Sequence, residues 1–146
     1  SSATPKLPIS PPPLPKESLK AEADEFLAQA ARQNFSVGAL EIELTGEALE
    51  KEDVLEFIMG EIGEILRREL LSDDLLGELA PNLFLLLTSD ISEEQLATFA
   101  DTLRSWINGQ RFIFESVPIE LRPKMSVLHF PKAPATLEEL LQKFSN

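Results

Sequence analysis

Along residues 18–34, Leu19, Ala23, Phe26, Leu27, Ala30 and Ala31 recur at steps of three and four, so a helix would gather them on one stripe. The stripe is narrow and rich in alanine. It suits a helix lying on a domain, and equally the end of a helical stalk that pairs with a second copy. In residues 35–44 the period changes to two: Phe35, Val37, Leu40, Ile42 and Leu44 are apolar, and Glu41 and Glu43 alternate with the last three. This predicts a strand with one buried and one solvated face. Residues 50–71 return to helical spacing, with Leu55, Ile58, Met59, Ile62, Ile65, Leu66 and Leu70 on one face and Glu56, Glu64 and Arg68 opposite. Glu64 and Arg68 are an i,i+4 pair of favourable polarity. Gly60 and Gly63 inside this helix cost about 1 kcal/mol each relative to alanine, and mark either close backbone packing or simple tolerance.

Two short apolar runs, 75–79 and 83–87, flank the turn-forming group Ala80-Pro81-Asn82 and predict a β-hairpin. Ser92 with Gln95 three residues later is a capping box, opening a helix that carries Leu96, Phe99, Leu103, Trp106 and Ile107 inward and closes at Asn108-Gly109. Residues 111–116 and 125–130 alternate as strands around Pro118 and Pro123, and Thr136 with Glu139 caps a last helix bearing Leu137, Leu140, Leu141 and Phe144. Strands interspersed with single helices predict an α+β, ferredoxin-like sandwich: a mostly antiparallel sheet with helices largely on one face.

Residues 1–17 do not join this pattern. Pro5, Pro8, Pro11, Pro12, Pro13 and Pro15 lock φ and remove amide donors, so polyproline II or disorder is expected there. The segment reads as an interdomain spacer, or as a docking peptide in which Pro11, Pro12, Pro13, Leu14 and Pro15 offer a ridge to the aromatic groove of an SH3-type partner. The chain thus divides into a proline-rich segment at 1–17, a connecting helix at 18–34 and an α+β domain at 35–146.

Charge narrows the partners. The 25 acidic against 13 basic side chains give a net charge of −12, which repels nucleic acid and anionic membranes. The acidic groups Glu47, Glu50, Glu52, Asp53 and Glu56, with Asp73 and Asp74, form a solvated rim or a docking patch for a protein with a basic surface. There is no Cys, which excludes disulfides, thiolate zinc sites and cysteine nucleophiles and fits a reducing compartment. With no apolar run of membrane-spanning length and no signal core, a soluble, cytoplasmic protein is expected. The start at Ser1 fits a processed form or a piece of a longer chain.

Candidate chemistry is sparse. Glu41 and Glu43, two apart on a strand, share a face and offer oxygen ligands to Mg²⁺ if a third carboxylate converges on them. His129 is the only histidine and reads as a structural residue at a strand end. No nucleophile elbow and no glycine-rich phosphate loop occurs. Phe99, Trp106, Phe112 and Phe114 read as core rather than a base-stacking platform, because they fall at core-facing positions.

The order of elements over residues 35–144 resembles the GGDEF domains, the diguanylate cyclases that share a fold with nucleotidyl cyclases. Leu40-Glu41-Ile42-Glu43 is similar to the family's acidic strand, and residues 74–87 are similar to its signature hairpin, in which Phe84 alone keeps a signature residue. The helices at 92–108 and 135–141 also resemble the family's later ones. The resemblance implies glycines at the hairpin tip that let a nucleotide approach and carboxylates that help hold its metal. Here the tip reads Ala80, Pro81, Asn82 and Leu83. The family's product-binding feedback site needs an Arg three residues before an Asp; Asp74 matches the Asp, and Leu71 stands at the Arg position. Residues 45–50 are shorter than the family's segment and lack its Asn-Asp substrate contacts. These departures lead to the expectation of a degenerate, non-catalytic member without cofactor, a regulatory or scaffolding module that binds a protein partner, with homodimerisation left open. The alternatives are a sensor of guanine nucleotide or cyclic dinucleotide, and a nucleotidyl cyclase with an atypical metal site.

Overall fold

A computed structural model of the protein describes residues 13–71 and 73–145. Residues 1–12, with the candidate partner-binding Pro11 and Pro12, lie outside the described residues. The elements are α1 (Lys16–Arg32), β1 (Val37–Thr45), a 3₁₀ turn (Glu47–Glu50), α2 (Glu52–Glu69), β2 (Leu75–Ala80), β3 (Leu83–Ser89), α3 (Glu93–Gly109), β4 (Phe112–Phe114), β5 (Val117–Ile119), β6 (Arg122–Phe130) and α4 (Leu137–Ser145). The main sheet has the order β2-β3-β1-β6 with every neighbour antiparallel, and β4 and β5 form a separate two-stranded ribbon. This is the expected α+β architecture with a mostly antiparallel sheet.

The helices, however, cover both faces of the sheet. Leu40, Ile42 and Leu44 of β1 join Ile58, Ile62 and Leu66 of α2 and Leu96, Leu103 and Ile107 of α3 in one core. Val37 and Ala39 join Leu19, Ala23, Leu27 and Ala30 of α1 and Leu137 and Leu140 of α4 in a second. The cause lies in β1 itself. Its first residues, Val37-Gly38-Ala39-Leu40, are all buried, so that half of the strand needs cover on both sides. Only from Glu41 onward does the two-residue alternation hold.

Helix α1 is a layer of the domain, and its alanines let it lie close to the sheet. It is tied to α4 by Asp24, whose Oδ1 accepts the Leu137 amide at 2.8 Å while Lys20 Nζ donates to Oδ2 at 2.9 Å. The amide and the ammonium together hold the Asp24 carboxyl below the usual carboxylate range. The capping box of α3 forms as read: Ser92 Oγ accepts from Gln95 N, and Gln95 Oε1 accepts from Ser92 N. Thr136 and Glu139 cap α4 by the same reciprocal logic, with Glu139 reaching the Ala135 amide.

Trp106 does not point inward. The buried stripe of α3 is Leu96, Ala100, Leu103 and Ile107, and Trp106 on its flank is 39% exposed. Of the other aromatics assigned to the core, Phe112 is buried, and half-buried Phe114 packs on Phe57 with ring centroids 5.2 Å apart. Strand β4 lies within the strand read at 111–116, whereas β5 and its pairing with β4 have no counterpart in the sequence reading. Its turn places Glu115 and Ser116 at φ 49° and 69°, a conformation usually signalled by Asn-Gly and unsignalled here.

The two helix glycines separate. Gly60 faces open space, whereas a Cβ on Gly63 would lie 3.2 Å from the Pro13 ring and 3.6 Å from Phe84. Gly77 is tighter still, because a Cβ there would come within 2.4 Å of Leu19, which is 1% exposed and has nowhere to retreat. Gly77→Ala is therefore expected to destabilise the fold by about 1–3 kcal/mol in chemical denaturation, since overpacking must push α1 off β2. Gly60→Ala, in the open position, should stabilise by about 0.5–1 kcal/mol.

Candidate functional site

The hairpin β2–β3 turns at Pro81-Asn82, and its tip meets the end of β1. Leu44 N donates to Asn82 O at 2.8 Å, and Asn82 Nδ2 donates to Leu44 O at 3.1 Å. A side chain and a backbone group of one residue thus clamp the tip onto the central strand. Both polar ends of that contact are spent on structure.

Antiparallel cross-strand partners share a face, which fixes where each carboxylate points. Glu41 stands between Leu85 and Ser126, and Glu43 between Leu83 and Lys124, on the sheet face that α1 and α4 cover further along. Both are half-buried rather than fully solvated. Burial pushes the Glu41 carboxyl up, and the neighbouring charge of Glu43 adds to the shift. Glu78, the acid of β2, is the partner of Phe84, whose ring lies in the opposite core beside Gly63. Burial raises its carboxyl too. The three carboxylates nearest the tip are therefore split between two faces. Among the described residues no group of three His, Asp or Glu side chains is placed to hold a metal ion. The Mg²⁺ implied by the fold's cyclases needs several converging oxygens, and this donor set does not fit it.

At the α2–β2 junction, Leu71 is 74% exposed and offers no cation. Asp74 turns inward: its Oδ2 accepts the Leu71 amide at 2.9 Å and its carboxylate bonds Thr88, while burial raises its pKa. It closes the loop rather than facing a ligand. Of the acidic rim, Glu47, Glu50, Glu52, Asp53, Glu56 and Asp73 are exposed as expected, and Asp74 is not.

The described part of the proline segment is docked rather than free. Leu14 N donates to Leu76 O at 3.0 Å, and Leu14 O accepts from Glu78 N at 2.9 Å, a parallel bridge to the outer edge of β2. Pro13 sits over Gly63, and Pro15 precedes the first turn of α1, its carbonyl accepting from Ser18 and Leu19. At residues 13–15 the disorder alternative gives way to an ordered clasp, in which Pro15 keeps the polyproline II dihedrals φ −67° and ψ 159°. The sequence carried one signal for it: between two prolines, Leu14 has the one amide able to donate.

His129 is a pin. With the Ile91 carbonyl as acceptor, Nε2 carries the proton and donates at 2.7 Å; Ser36 Oγ donates to the same carbonyl at 2.7 Å and accepts the Ile91 amide. The pair anchors the loop before α3. An open groove on α3, lined by Glu94, Gln95, Thr98, Phe99 and Thr102, takes no residue from β1 or the hairpin. No helix of the described residues is long and apolar enough to cross a membrane.

Two outcomes follow from this geometry. Asn82→Ala should cost about 1 kcal/mol of stability, because it removes one hydrogen bond and leaves the Leu44 carbonyl to water. For Glu41 the folded pKa is raised, so the ionised form is penalised in the folded state and stability falls as pH rises through the carboxylate range. Glu41→Gln should accordingly raise the melting temperature at pH 7, with the gain shrinking as pH drops to where Glu41 is protonated.

No family profile matches the sequence, and no curated protein matches it. Solved structures match its fold. The GGDEF domain of FimX from Pseudomonas aeruginosa superposes with a TM-score of 0.75 at 13% identity, over 96% of this chain and 88% of that one. The diguanylate cyclase SiaD of Pseudomonas aeruginosa, in complex with its activator SiaC, gives 0.73 at 16% identity over 97% of this chain and 55% of that one. The GGDEF domain of DgcB from Caulobacter crescentus, in complex with c-di-GMP, gives 0.70 at 8% identity over 98% and 86%. With order, topology and superposition in agreement, this chain has the fold of the GGDEF domains.

Proposed function

We propose that this domain is a non-catalytic regulatory or scaffolding module that binds a protein partner. The observation that carries the reading is the tip: Asn82 is clamped to Leu44, and Glu41 and Glu43 lie on the face opposite Glu78. A cyclase of this fold has to bring carboxylates and backbone together around a metal and a nucleotide's phosphates. Here Pro81 removes an amide donor at the turn, and Leu83 puts an apolar group beside it. The complex of SiaD with its activator supports the idea that the fold takes protein partners.

The second reading, a sensor of cyclic dinucleotide, draws on the DgcB complex with c-di-GMP. It is weakened by the exposed Leu71 and by Asp74, whose carboxylate is engaged by the Leu71 amide and Thr88.

Isothermal titration of the chain with GTP plus Mg²⁺ and then with c-di-GMP, with turnover followed in the same samples, separates the readings. Silence in both titrations is the expected result. Saturable binding without product would establish the sensor, and product would overturn the proposal.

A further inference from the structure

The two edges of the main sheet differ. The edge of β2 is occupied by the chain itself, through Leu14. The other edge is β6, and among the described residues no strand pairs with its outer side. The Leu44 amide bonds Asn82 on the β3 side, so the ladder's alternation turns the odd-numbered residues of β1 toward β6. Their partners Arg122, Lys124, Ser126, Leu128 and Phe130 use their backbone groups inward. The N–H and C=O groups of Met125, Val127 and His129 therefore point outward.

The chemistry beside those groups departs from the rest of the chain. Residues 121–137 contain Arg122, Lys124 and Lys132 and no acidic side chain, in a protein of net charge −12. Arg122 and Lys124 are exposed, and no ion pair of the described residues involves either. On the other face of the strand stand Pro123, Met125 and Val127, the last 37% exposed. On its inner side this double row meets Leu40-Glu41-Ile42-Glu43-Leu44, with Glu43 opposite Lys124, Ile42 opposite Met125 and Leu40 opposite Val127. An alternation of acidic and apolar side chains is thus already the pattern that β6 accepts.

We propose that the outer edge of β6 is a strand-addition site for an extended segment of a partner protein whose side chains alternate acidic and apolar. The inference rests on the protein-binding reading and deepens it by naming the surface and the partner's chemistry. Main-chain bonds to residues 125–129 supply the pairing, and Arg122 and Lys124 select the charge. Screening limits the reach of charges to about 8 Å at physiological salt, so this strip governs its own surroundings despite the net charge. Cations and proline at one end of an edge strand also deter aggregation. They guard only residues 122–124, and they attract rather than repel an acidic strand. Residues 1–12 carry no acid and do not match the site.

The test titrates the full chain into a fluorescein-labelled peptide with the sequence of residues 37–45, read by anisotropy at low and high salt. Saturable binding is expected, weakened by salt, weakened about tenfold by Arg122→Glu with Lys124→Glu, and abolished when both glutamates of the peptide are replaced by glutamine. The glutamine peptide leaves the protein unaltered, so that arm holds even where a β6 variant folds poorly. In ¹⁵N spectra the amides of Met125, Val127 and His129 should shift on addition. Absence of saturable binding, binding indifferent to the peptide's charge, or shifts confined to another surface would overturn the site. So would self-association of the chain that Val127→Pro removes, since the occupant would then be a second copy. None of these arms uses a nucleotide, so failure here is separate from failure of the non-catalytic reading.

Discussion

Strand β1 is paired along its length to β3 on one side and β6 on the other, and its first half is buried on both faces. This two-sided burial is the constraint from which the architecture follows. A strand that puts Leu40, Ile42 and Leu44 into one core and Val37 and Ala39 into another cannot be stable under a single layer of helices. Each of the leucine, isoleucine and valine side chains among these contributes about 1.5–3 kcal/mol only if it is fully covered. Helices α2 and α3 supply one cover, and α1 with α4 the other. The tie from Asp24 to the first amide of α4 joins α1 and α4 over the second core.

The same constraint shapes the site. Burial on both faces stops at Glu41, and there the face beyond α1 and α4 carries half-buried carboxylates. Their neighbours across the ladder are leucines on β3 and Ser126 and Lys124 on β6, while the acid of β2 faces the other core. Asn82 then fastens the hairpin tip to the strand end. The result is a region at the strand end with the internal bonding of a closed turn. The sheet's edges complete the picture, one closed by Leu14 and the other unpaired among the described residues and locally cationic.

Much of this was legible in the sequence wherever one residue type has one physical role. The capping box at Ser92, the helical stripe of α2 and the turn at Ala80-Pro81-Asn82 read directly, because each is a local rule. The cover on the second face did not, because Val37-Gly38-Ala39 gives no alternation and a buried strand can be recognised only when both of its neighbours are known. Trp106 misled because its spacing from Leu103 and Ile107 fits either the stripe or its flank. The β4–β5 turn uses Glu115-Ser116 in a left-handed conformation that neither residue advertises. At the tip, the turn residues Pro81-Asn82 were visible, but the clamp from Asn82 to Leu44 depends on a contact between residues 38 positions apart. The Leu14 clasp likewise lies where composition alone argues for an unpaired linker.

In the reading proposed above, the junction of β1 and the hairpin tip is a closed structural contact that holds no metal ion. Titrating ¹⁵N-labelled protein with Mn²⁺ in the presence of GTP tests it most directly, because a bound paramagnetic ion broadens amides around it. No selective loss of the Glu41, Glu43, Leu44 and Asn82 signals is expected at stoichiometric Mn²⁺. Selective broadening centred on those residues would contradict it.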